Sequence, residues 1–246
     1  TTYLGQTGVG CRRTDPTTKF GAITANLSAS TSGVYAVLSY PLNNGLIQFT
    51  LGSGDDTFEV QGTHDSSALL TVLGGEGADL LNGGDLADTL DGQGGDDRLR
   101  GGPGGDTLRG GSGNDTFTSE PASDGADSID GGGDAAAAGD TDFAGDTISY
   151  ETRSSPTTVT LPADSVSTPT GNNGGSAEGD RLARIENVLG SRGRNTITGN
   201  DRDNLIFGDI GQDTLSGASG DDFLWGSEND DTLNGGEGDD ELDGDY

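Results

Sequence analysis

The sequence has almost none of the residues from which disulfide frameworks, cysteine zinc sites and histidine-based active sites are built. Its 246 residues include one cysteine, one histidine and no methionine. The single cysteine, Cys11, excludes an intramolecular disulfide and a zinc site made of cysteines. The single histidine, His64, excludes an HExxH zinc site and every site that needs two histidines. We therefore expect no catalytic residues, and we predict that the protein is not an enzyme.

Basic residues and long apolar segments are scarce as well. The chain carries 12 Lys and Arg against 42 Asp and Glu, a formal net charge of −30 at pH 7. Such a charge repels nucleic acid and anionic lipid, so we expect no nucleic-acid partner and no membrane insertion. No apolar stretch approaches the roughly 20 residues that a membrane-spanning helix needs. Because methionine is absent, we expect that a leader was removed or that the chain was trimmed.

The abundant residues are glycine and acids, a composition that on its own is typical of disorder. Glycine occurs 46 times, and hydrophobic residues make up 29% of the chain. Ordering so many glycines costs more conformational entropy than so little apolar surface offsets on burial. One interpretation is therefore an unstructured acidic linker. If the chain folds, something must neutralise its carboxylates.

A nine-residue repeat argues against that linker. From Gly74 the chain reads GGEGADLLN, GGDLADTLD, GQGGDDRLR, GGPGGDTLR and GGSGNDTFT. From Gly190 it reads GSRGRNTIT, GNDRDNLIF, GDIGQDTLS, GASGDDFLW, GSENDDTLN and GGEGDDELD. Every copy has Asp or Asn at its sixth position and a large apolar residue at its eighth. Composition alone does not predict this fixed spacing of the acid or amide and the apolar residue, so the repeat indicates a solenoid.

These copies resemble the GGxGxDxUx nonapeptide of the repeats-in-toxin (RTX) family, in which U is a large apolar residue. The resemblance is close over 74–118 and 208–243, and looser over 52–60, 122–130 and 144–149. It implies an all-β fold, a right-handed parallel β-roll or β-solenoid in which each repeat supplies a six-residue turn and a short strand. Two repeats make one coil, and calcium ions lie between the turns of adjacent coils.

The resemblance also implies the metal-binding residues. The expected acidic ligands are Asp56, Asp79, Asp88, Asp97, Asp106, Asp115, Asp127, Asp146, Asp213, Asp222, Asp231 and Asp240. The expected turn glycines are Gly74, Gly75, Gly77, Gly95, Gly104, Gly113, Gly211, Gly220 and Gly238. Several calcium ions are the expected cofactor, and no residue is expected to be catalytic.

Simple electrostatics agrees with a calcium-filled solenoid. Parallel coils stack at roughly 4.8 Å, so Asp79, Asp97 and Asp115 should form one row and Asp88 with Asp106 the opposite row. Unit charges about 5 Å apart repel by roughly 1 kcal/mol in water and by several at an effective dielectric near 20. Glycine turns bring carbonyl oxygens inward, and hard oxygen ligands suit calcium. Calcium between successive rows would turn each repulsion into an attraction.

Some copies depart from the pattern. Leu86, Arg202 and Asn229 replace the glycine at the fourth position, while Asn195 and Asn204 replace the acid at the sixth. We expect the sites that touch residues 190–207 to bind weakly or to stay empty, with amide or arginine contacts in place of the ion.

The remaining chain divides by composition. We interpret 1–51 as a calcium-free β cap or the first coils, 52–130 as the first repeat block, 131–189 as divergent coils with loop insertions, and 190–246 as the second repeat block. Within these, Leu69, Leu70, Val72, Ile185 and Val188 should point inward, 147–151 and 157–161 should be strands, and 162–178 should be loop.

A cluster of arginines and one tryptophan have two interpretations each. Arg181, Arg184, Arg192, Arg194 and Arg202 form either an anion-binding patch or an internal balance of charge where calcium is absent. Trp225, at the ninth position of its repeat, either contacts carbohydrate or packs at the edge of the solenoid. In both cases the structural interpretation is the simpler one.

The sequence predicts an extracellular, bacterial-type calcium-binding structural or surface protein whose folding calcium triggers. The RTX resemblance implies type I secretion. Its partners would be calcium and either copies of itself, joined end to end into a filament, or a surface polysaccharide. The alternative is a non-catalytic accessory or adhesin module of a larger secreted enzyme or adhesin. Cys11 is either buried in a cap or a free thiol.

Overall fold

The computed structural model describes the strand residues 9–11, 23–29 and 35–38, together with residues 45–60, 68–119, 125–133, 144–163, 169–173 and 179–245. His64, most of the Gly/Ala insertion after Gly133, and the side chains of Cys11 and Leu69 lie outside the described residues. No described segment is a helix long and apolar enough to cross a membrane.

All regular elements of the described residues are β-strands. In chain order they are β1 (Val9–Cys11), β2 (Ile23–Ala29), β3 (Tyr35–Leu38), β4 (Gly45–Ser53), β5 (Thr57–Val60), β6 (Ala68–Glu76), β7 (Leu80–Asn82), β8 (Thr89–Gly94), β9 (Arg98–Arg100), β10 (Thr107–Ser112), β11 (Thr116–Thr118), β12 (Ser128–Gly132), β13 (Thr147–Ser149), β14 (Thr158–Thr160), β15 (Thr170–Asn173), β16 (Asp180–Ala183), β17 (Asn187–Leu189), β18 (Thr196–Thr198), β19 (Leu205–Phe207), β20 (Thr214–Ser219), β21 (Phe223–Trp225), β22 (Thr232–Glu237) and β23 (Glu241–Asp243).

These strands form three sheets of a parallel β-solenoid. Sheet A has 11 strands in the order β1-β3-β5-β7-β9-β11-β13-β17-β19-β21-β23. Sheet B has eight strands, β15-β16-β12-β10-β8-β6-β4-β2, and sheet C has four, β14-β18-β20-β22. Through the repeats, the chain alternates between sheet A and sheet B or C, so each coil contributes one strand to each side. The predicted parallel β-roll is confirmed.

The nine-residue period sets the register of the sheets. Leu81 of β7 pairs with Leu99 of β9, and Leu90 of β8 pairs with Leu108 of β10, so two repeats separate equivalent residues. The apolar eighth position points into the solenoid, where Leu81 and Leu90 are fully buried. The seventh and ninth positions point outward because side chains alternate along a strand. Turn residues then occupy the first six positions, at the edges of the sheets.

The core is a narrow column of apolar side chains. In the regular coils each strand contributes one large buried residue, as Leu99, Leu108 and Phe117 do. The predicted inward residues Leu70, Val72, Ile185 and Val188 are all buried. Each coil therefore buries little apolar surface, and the stability of the repeats must depend on interactions in their turns.

The middle of the solenoid breaks the regular order. Strand β14 precedes β16 in the chain, yet β16 pairs with β12 of sheet B while β14 pairs with β18 of sheet C. Sheet A continues without a break across this point because β13 pairs with both β11 and β17. The expectation that 162–178 is loop is wrong for β15, which pairs antiparallel with β16.

The first strands extend the same solenoid. Strands β1 and β3 continue sheet A next to β5, and β2 and β4 continue sheet B next to β6. The pairs β3 with β5 and β4 with β6 are parallel. In the described strands the segment before the first acidic turn therefore has the geometry of coils.

Candidate metal centre

The sixth-position acids line up in rows that run along the turns. Beside sheet A, the backbone N–H of each acid donates to a carboxylate oxygen of the acid one coil later. The N–Oδ1 distance is 2.7 Å from Asp56 to Asp79, and 2.8 Å for both Asp79 to Asp97 and Asp97 to Asp115. The row, here called ladder A, continues from Asp115 to Asp146 at 2.8 Å.

Two further rows run beside the other sheets. Ladder B, beside sheet B, links Asp88 to Asp106 at 2.7 Å, Asp106 to Asp127 at 2.8 Å and Asp127 to Asp180 at 3.1 Å. Ladder C, beside sheet C, links Asn195 to Asp213 at 2.6 Å and Asp213 to Asp231 at 2.8 Å. The expected rows of Asp79, Asp97 and Asp115 and of Asp88 and Asp106 are therefore confirmed.

In the regular turns that follow another acid, one carboxylate oxygen accepts the ladder hydrogen bond, and the other faces the first glycine of its own turn. Next to Gly92, Asp97 Oδ2 and the carbonyl oxygen of Gly110 lie so close that a Cβ atom would collide with both. Gly74 has the same two neighbours, Asp79 Oδ2 and the carbonyl oxygen of Gly92. Two acceptors that face one point have no hydrogen to share, and a cation between them would satisfy both.

Several of these second oxygens are buried without a hydrogen bond. Among the described residues, this holds for the Oδ2 atoms of Asp79, Asp97, Asp213, Asp222 and Asp231. A buried charged group without a partner costs several kcal/mol, so a native fold supplies a counter-ion or a proton. The residues present therefore fit a bound cation.

The turns stack too closely for side chains. Gly95 has φ +115° and Gly77 has φ +120°, backbone conformations that glycine adopts without strain. A Cβ atom on Gly95 would collide with the carbonyl group of Gly77 in the preceding coil. Carbonyl oxygens of successive turns therefore lie along the same edge of the solenoid as the ladder carboxylates. Of the predicted fourth-position replacements, Leu86 has φ +80° and Asn229 φ +91°, so both accept the glycine conformation.

Burial makes the ladder acids hard to ionise in the absence of an ion. Desolvation is the main cause that raises the pKa of Asp79 and of Asp97 from 3.8 to about 7. It also raises the pKa of Asp88 to about 8, with the Asp106 carboxylate as the next contribution. Desolvation likewise raises the pKa of Asp213 and of Asp222 to about 6. At neutral pH a divalent cation would relieve this penalty.

The donor set indicates which cation fits. Among the described residues, no three His, Cys, Asp or Glu side chains converge on one point. An ion in the turns must therefore take most of its ligands from backbone carbonyls, with a carboxylate from one or two coils. All these donors are hard oxygens, which suit calcium and not a soft metal.

All the predicted metal-binding residues lie in the stacked turns. Ladder A contains Asp56, Asp79, Asp97, Asp115, Asp146, Asp222 and Asp240; ladder B contains Asp88, Asp106 and Asp127; ladder C contains Asp213 and Asp231. The glycines Gly74, Gly75, Gly77, Gly95, Gly104, Gly113, Gly211, Gly220 and Gly238 each contact backbone of a neighbouring coil. Which of them bind an ion stays a prediction.

Two acids that the repeat pattern did not select also belong to the ladders. Asp180 accepts the N–H of Asp127, and Glu186 Oε2 accepts the N–H of Asp146 at 2.9 Å. Both precede a buried apolar residue by two positions, Leu182 and Val188. That spacing was the available signal, and before Glu186 it stands without turn glycines.

Amides replace carboxylates where the sequence predicted it. Asn195 Nδ2 donates to the carbonyl oxygens of Ser191 and Gly208, both at 2.7 Å. Asn204 Nδ2 donates to the carbonyl oxygen of Glu186 at 2.7 Å. The amide hydrogens satisfy carbonyl groups that have no such donor in the acidic turns. These contacts match the expectation of amide contacts in this segment.

The arginine cluster contains one pair that balances charge. Arg184 contacts Asp130 Oδ1 with Nε at 2.9 Å and with a terminal nitrogen at 2.5 Å. Its pairing agrees with the internal-balance interpretation for this residue. The side chains of Arg181, Arg192, Arg194 and Arg202 are exposed.

Trp225 packs on the outer face of sheet A. Its ring centroid is 5.1 Å from that of Phe207, and Phe207 is 6.4 Å from Phe223. The three rings are half-buried, so Trp225 has neighbours of its own and is part of an aromatic patch.

The raised pKa values predict an unusual pH dependence. Without calcium, the ladder acids keep their protons in the fold up to about pH 6 to 8, whereas they ionise near 3.8 in the unfolded chain. Folding then binds protons, so the calcium-free fold should lose stability as pH rises from about 4 to 8. We expect calcium-depleted protein to show a stronger β signal in circular dichroism at pH 5 than at pH 8.

Saturating calcium is the control for this pH dependence. Calcium requires ionised carboxylates, so protons compete with it, and the calcium-loaded protein should unfold at a lower urea concentration at pH 5 than at pH 8. The same β signal at both pH values in calcium-depleted protein would contradict the raised pKa values of the ladders.

Comparison with known proteins agrees with this geometry. No curated protein matches the chain as a relative. The family model of the RTX calcium-binding nonapeptide repeat matches it four times, over residues 71–90, 82–117, 189–224 and 216–245. These segments coincide with the coils in which glycine turns stack and ladder acids are buried, and such repeats bind several calcium ions. The chain therefore contains two blocks of RTX calcium-binding nonapeptide repeats, over residues 71–117 and 189–245.

Proposed function

We propose that this protein is an extracellular structural or surface protein whose β-solenoid forms when calcium binds to its turns. The observation that carries the proposal is the set of buried Oδ2 atoms, as in Asp97 and Asp222, that have no hydrogen-bond partner among the described residues. Their charges oppose folding until a cation neutralises them. The match of both blocks to the RTX calcium-binding repeat supports calcium as that cation.

The ligands would come from two adjacent coils. For the turn that begins at Gly92, we propose that Asp97 Oδ2 and the carbonyl oxygen of Gly110 bind the same ion, because both face one point. The turns of Gly74 and Gly208 repeat this arrangement with Asp79 and Asp213, facing the carbonyl oxygens of Gly92 and Gly226. Calcium bound there supplies the positive charge, and the chain supplies rigid oxygen donors and excludes larger groups.

Calcium concentration would then control where the protein folds. Extracellular modules of this kind bind calcium at about 10⁻⁴ to 10⁻³ M. In the low calcium of a cytosol the repeats would stay unfolded, and they would fold after export. Nothing in this scheme needs a reacting group, so we propose that the protein is not catalytic.

A calcium titration followed by far-UV circular dichroism tests this function. We expect a change from a coil to a β spectrum at sub-millimolar to millimolar calcium, and no change with magnesium, which demands smaller and more regular oxygen sites. A β spectrum that chelator leaves unchanged would show that packing alone folds the repeats. The proposed calcium trigger would then be wrong.

We propose further that folded copies stack end to end. The last described strands, β22 and β23, are edge strands in sheets C and A, and Leu242 at the inward eighth position is 47% exposed. Unpaired edges of this kind pair readily with another strand. Static light scattering of the calcium-loaded protein should show a mass that grows with concentration; a constant monomer mass would remove the filament from the proposal.

The aromatic patch favours a second candidate, a non-catalytic adhesin or accessory module. Phe207, Phe223 and Trp225 form a row of half-buried rings on the outer face of sheet A. Such rings stack on sugar faces. In a sedimentation assay with an acidic polysaccharide, Trp225→Ala should weaken binding while the calcium-dependent β spectrum stays as in the wild type. Absence of binding by the wild-type protein would remove this candidate.

A further inference from the structure

The middle of the solenoid satisfies its ladders with its own side chains, in contrast to the turns on both sides. We define the central segment as residues 147–163 and 179–206, the first block as 68–119, and the second block as 208–243. In both blocks, buried ladder oxygens lack hydrogen-bond partners among the described residues, as in Asp79 and Asp213.

Asn195 shows the difference most directly. Next to Gly208, the neighbouring atoms are Asp213 Oδ2 and the carbonyl oxygen of Gly226, two acceptors. Next to Gly190, the equivalent atoms are Asn195 Nδ2 and the carbonyl oxygen of Gly208. Here the amide donates to that carbonyl at 2.7 Å. A hydrogen bond therefore occupies the place where the acidic turns need a cation.

Asn204 and Asn200 close the other side of the coil in the same way. Asn204 Nδ2 donates to the carbonyl of Glu186, and Asn204 Oδ1 accepts the N–H of Asn200 at 2.8 Å. Asn200 Nδ2 donates to the carbonyls of Pro162 and Ile185, both at 3.1 Å. Three side-chain amides thus tie the turns of this coil to β14 and to the segment before β17.

Arg153 places a positive charge inside the same segment. Its side chain is 1% exposed, donates to Ser119 Oγ and lies with its guanidinium carbon 5.0 Å from the ring centroid of Tyr150. The turn that contains it stacks between two others, because Ser119 N–H donates to Ser149 O and Arg192 N–H donates to Arg153 O. Tyr150 OH in turn contacts Asp180 Oδ2, the last acid of ladder B, at 3.3 Å.

The central segment also has a denser core than the regular coils of the first block. Strands β13, β14, β16 and β17 and the residues that flank them bury eight apolar side chains, Ile148, Tyr150, Val159, Leu161, Leu182, Ala183, Ile185 and Val188. Four strands of the first block, β7 to β10, bury one large apolar residue each at their eighth positions. Burial of apolar surface can therefore hold this segment where it cannot hold the repeats.

We infer that the central segment is a calcium-independent unit that stays ordered without calcium and divides the solenoid into two blocks that load calcium separately. Asn195, Asn200 and Asn204 act as built-in replacements for calcium, and Arg153 adds a buried positive charge to the same segment. The inference rests on the proposed function, since it presumes that the two blocks need calcium to fold. The central unit would give each block a preformed edge on which to add coils.

Hydrogen–deuterium exchange of the full chain, read by mass spectrometry of peptides, tests this unit. In chelator, peptides from the central segment should exchange about 100-fold more slowly than peptides from the blocks, which should exchange at unfolded rates. With millimolar calcium all three regions should be protected. Loss of protection in all regions together in chelator would overturn the unit and leave the calcium trigger intact. Protection of all regions in chelator would overturn the trigger itself.

Restoring the acids provides a second test. In the double variant Asn195→Asp, Asn204→Asp, a carboxylate faces the carbonyl oxygens that the amides now satisfy. The central peptides should lose at least about tenfold of their protection in chelator and regain it with calcium. Asn234→Asp makes the same change on an exposed residue of β22 and should leave central protection unchanged. Unchanged central protection of the double variant in chelator would overturn the role of the amides.

Discussion

The Asp97→Asn variant should change stability in opposite directions with and without calcium. Asn keeps the oxygen that accepts the N–H of Asp79 at 2.8 Å, so ladder A stays connected. It replaces the buried Oδ2, which faces the carbonyl oxygen of Gly110, with an amide donor. With calcium, a carboxylate ligand is lost; without calcium, one buried repulsive charge is removed.

We expect the calcium midpoint of the circular dichroism transition to rise about tenfold in Asp97→Asn, which corresponds to roughly 1.4 kcal/mol. In chelator at pH 8, where the wild-type repeats are expected to be unfolded, the variant should show more β signal than the wild type, because an ionised acid no longer opposes the fold. Circular dichroism gives both measurements.

Asp96→Asn is the matched control for Asp97→Asn. Asp96 is the adjacent residue, its side chain is exposed, and its Oδ1 accepts the N–H of Asn114 at 2.9 Å, a bond that Asn retains. Its calcium midpoint should stay within about twofold of the wild type, since exposed charges contribute little. If the two variants shift the midpoint equally, the effect is one of total charge and ladder A is not a metal site.

Phe117→Ala should be the most destabilising single change in the calcium-loaded protein. Phe117 is fully buried in β11, where it pairs with Leu99 in the preceding coil and with Ile148 in the following one. Truncating a buried Phe costs about 3 to 5 kcal/mol. The regular coils have one large anchor on each strand, so few neighbouring side chains can fill the cavity. We expect this loss in urea unfolding at millimolar calcium.

The calcium response of Phe117→Ala separates a core effect from a site effect. Because calcium binding and folding are coupled, the midpoint should rise while the number of ions bound at saturation stays that of the wild type. Thr118→Ala, one residue away with a side chain on the outer face, should change the free energy of unfolding by less than about 0.5 kcal/mol. Wild-type urea resistance of Phe117→Ala would show that the apolar column does not stabilise the coils.

Much of the regular solenoid could be predicted from the sequence for one physical reason. When every coil has 18 residues, stacking in register brings residue i beside residue i+18, as between Asp79 and Asp97 or Asp88 and Asp106. The apolar eighth position must then point inward, because the alternative orientation of the strand would bury the seventh and ninth positions instead. Ladder partners, inward residues and turn glycines therefore all follow from the period.

Prediction of ladder partners from the nine-residue period failed where the length of the coil varies. Ladder partners are separated by 31 residues for Asp115 and Asp146, 40 for Asp146 and Glu186, and 53 for Asp127 and Asp180. The length of an insertion does not determine which acids become ladder partners, because closing a longer loop costs only slightly more entropy than closing a shorter one. Asp180 and Glu186 were missed for this reason, although their spacing to Leu182 and Val188 follows the repeat.

The sequence by itself determined the parallel solenoid, its calcium-binding repeats and the amide contacts at Asn195 and Asn204, because these depend on local spacing. Only the tertiary structure decided that β16 returns to sheet B ahead of β14, that Arg153 is buried beside Tyr150, and that β15 runs antiparallel. Those outcomes depend on which strand pairs with a given sheet edge when segments of unequal length separate the candidates. The packing of the whole coil decides this pairing, and a nine-residue stretch of sequence holds no information about it.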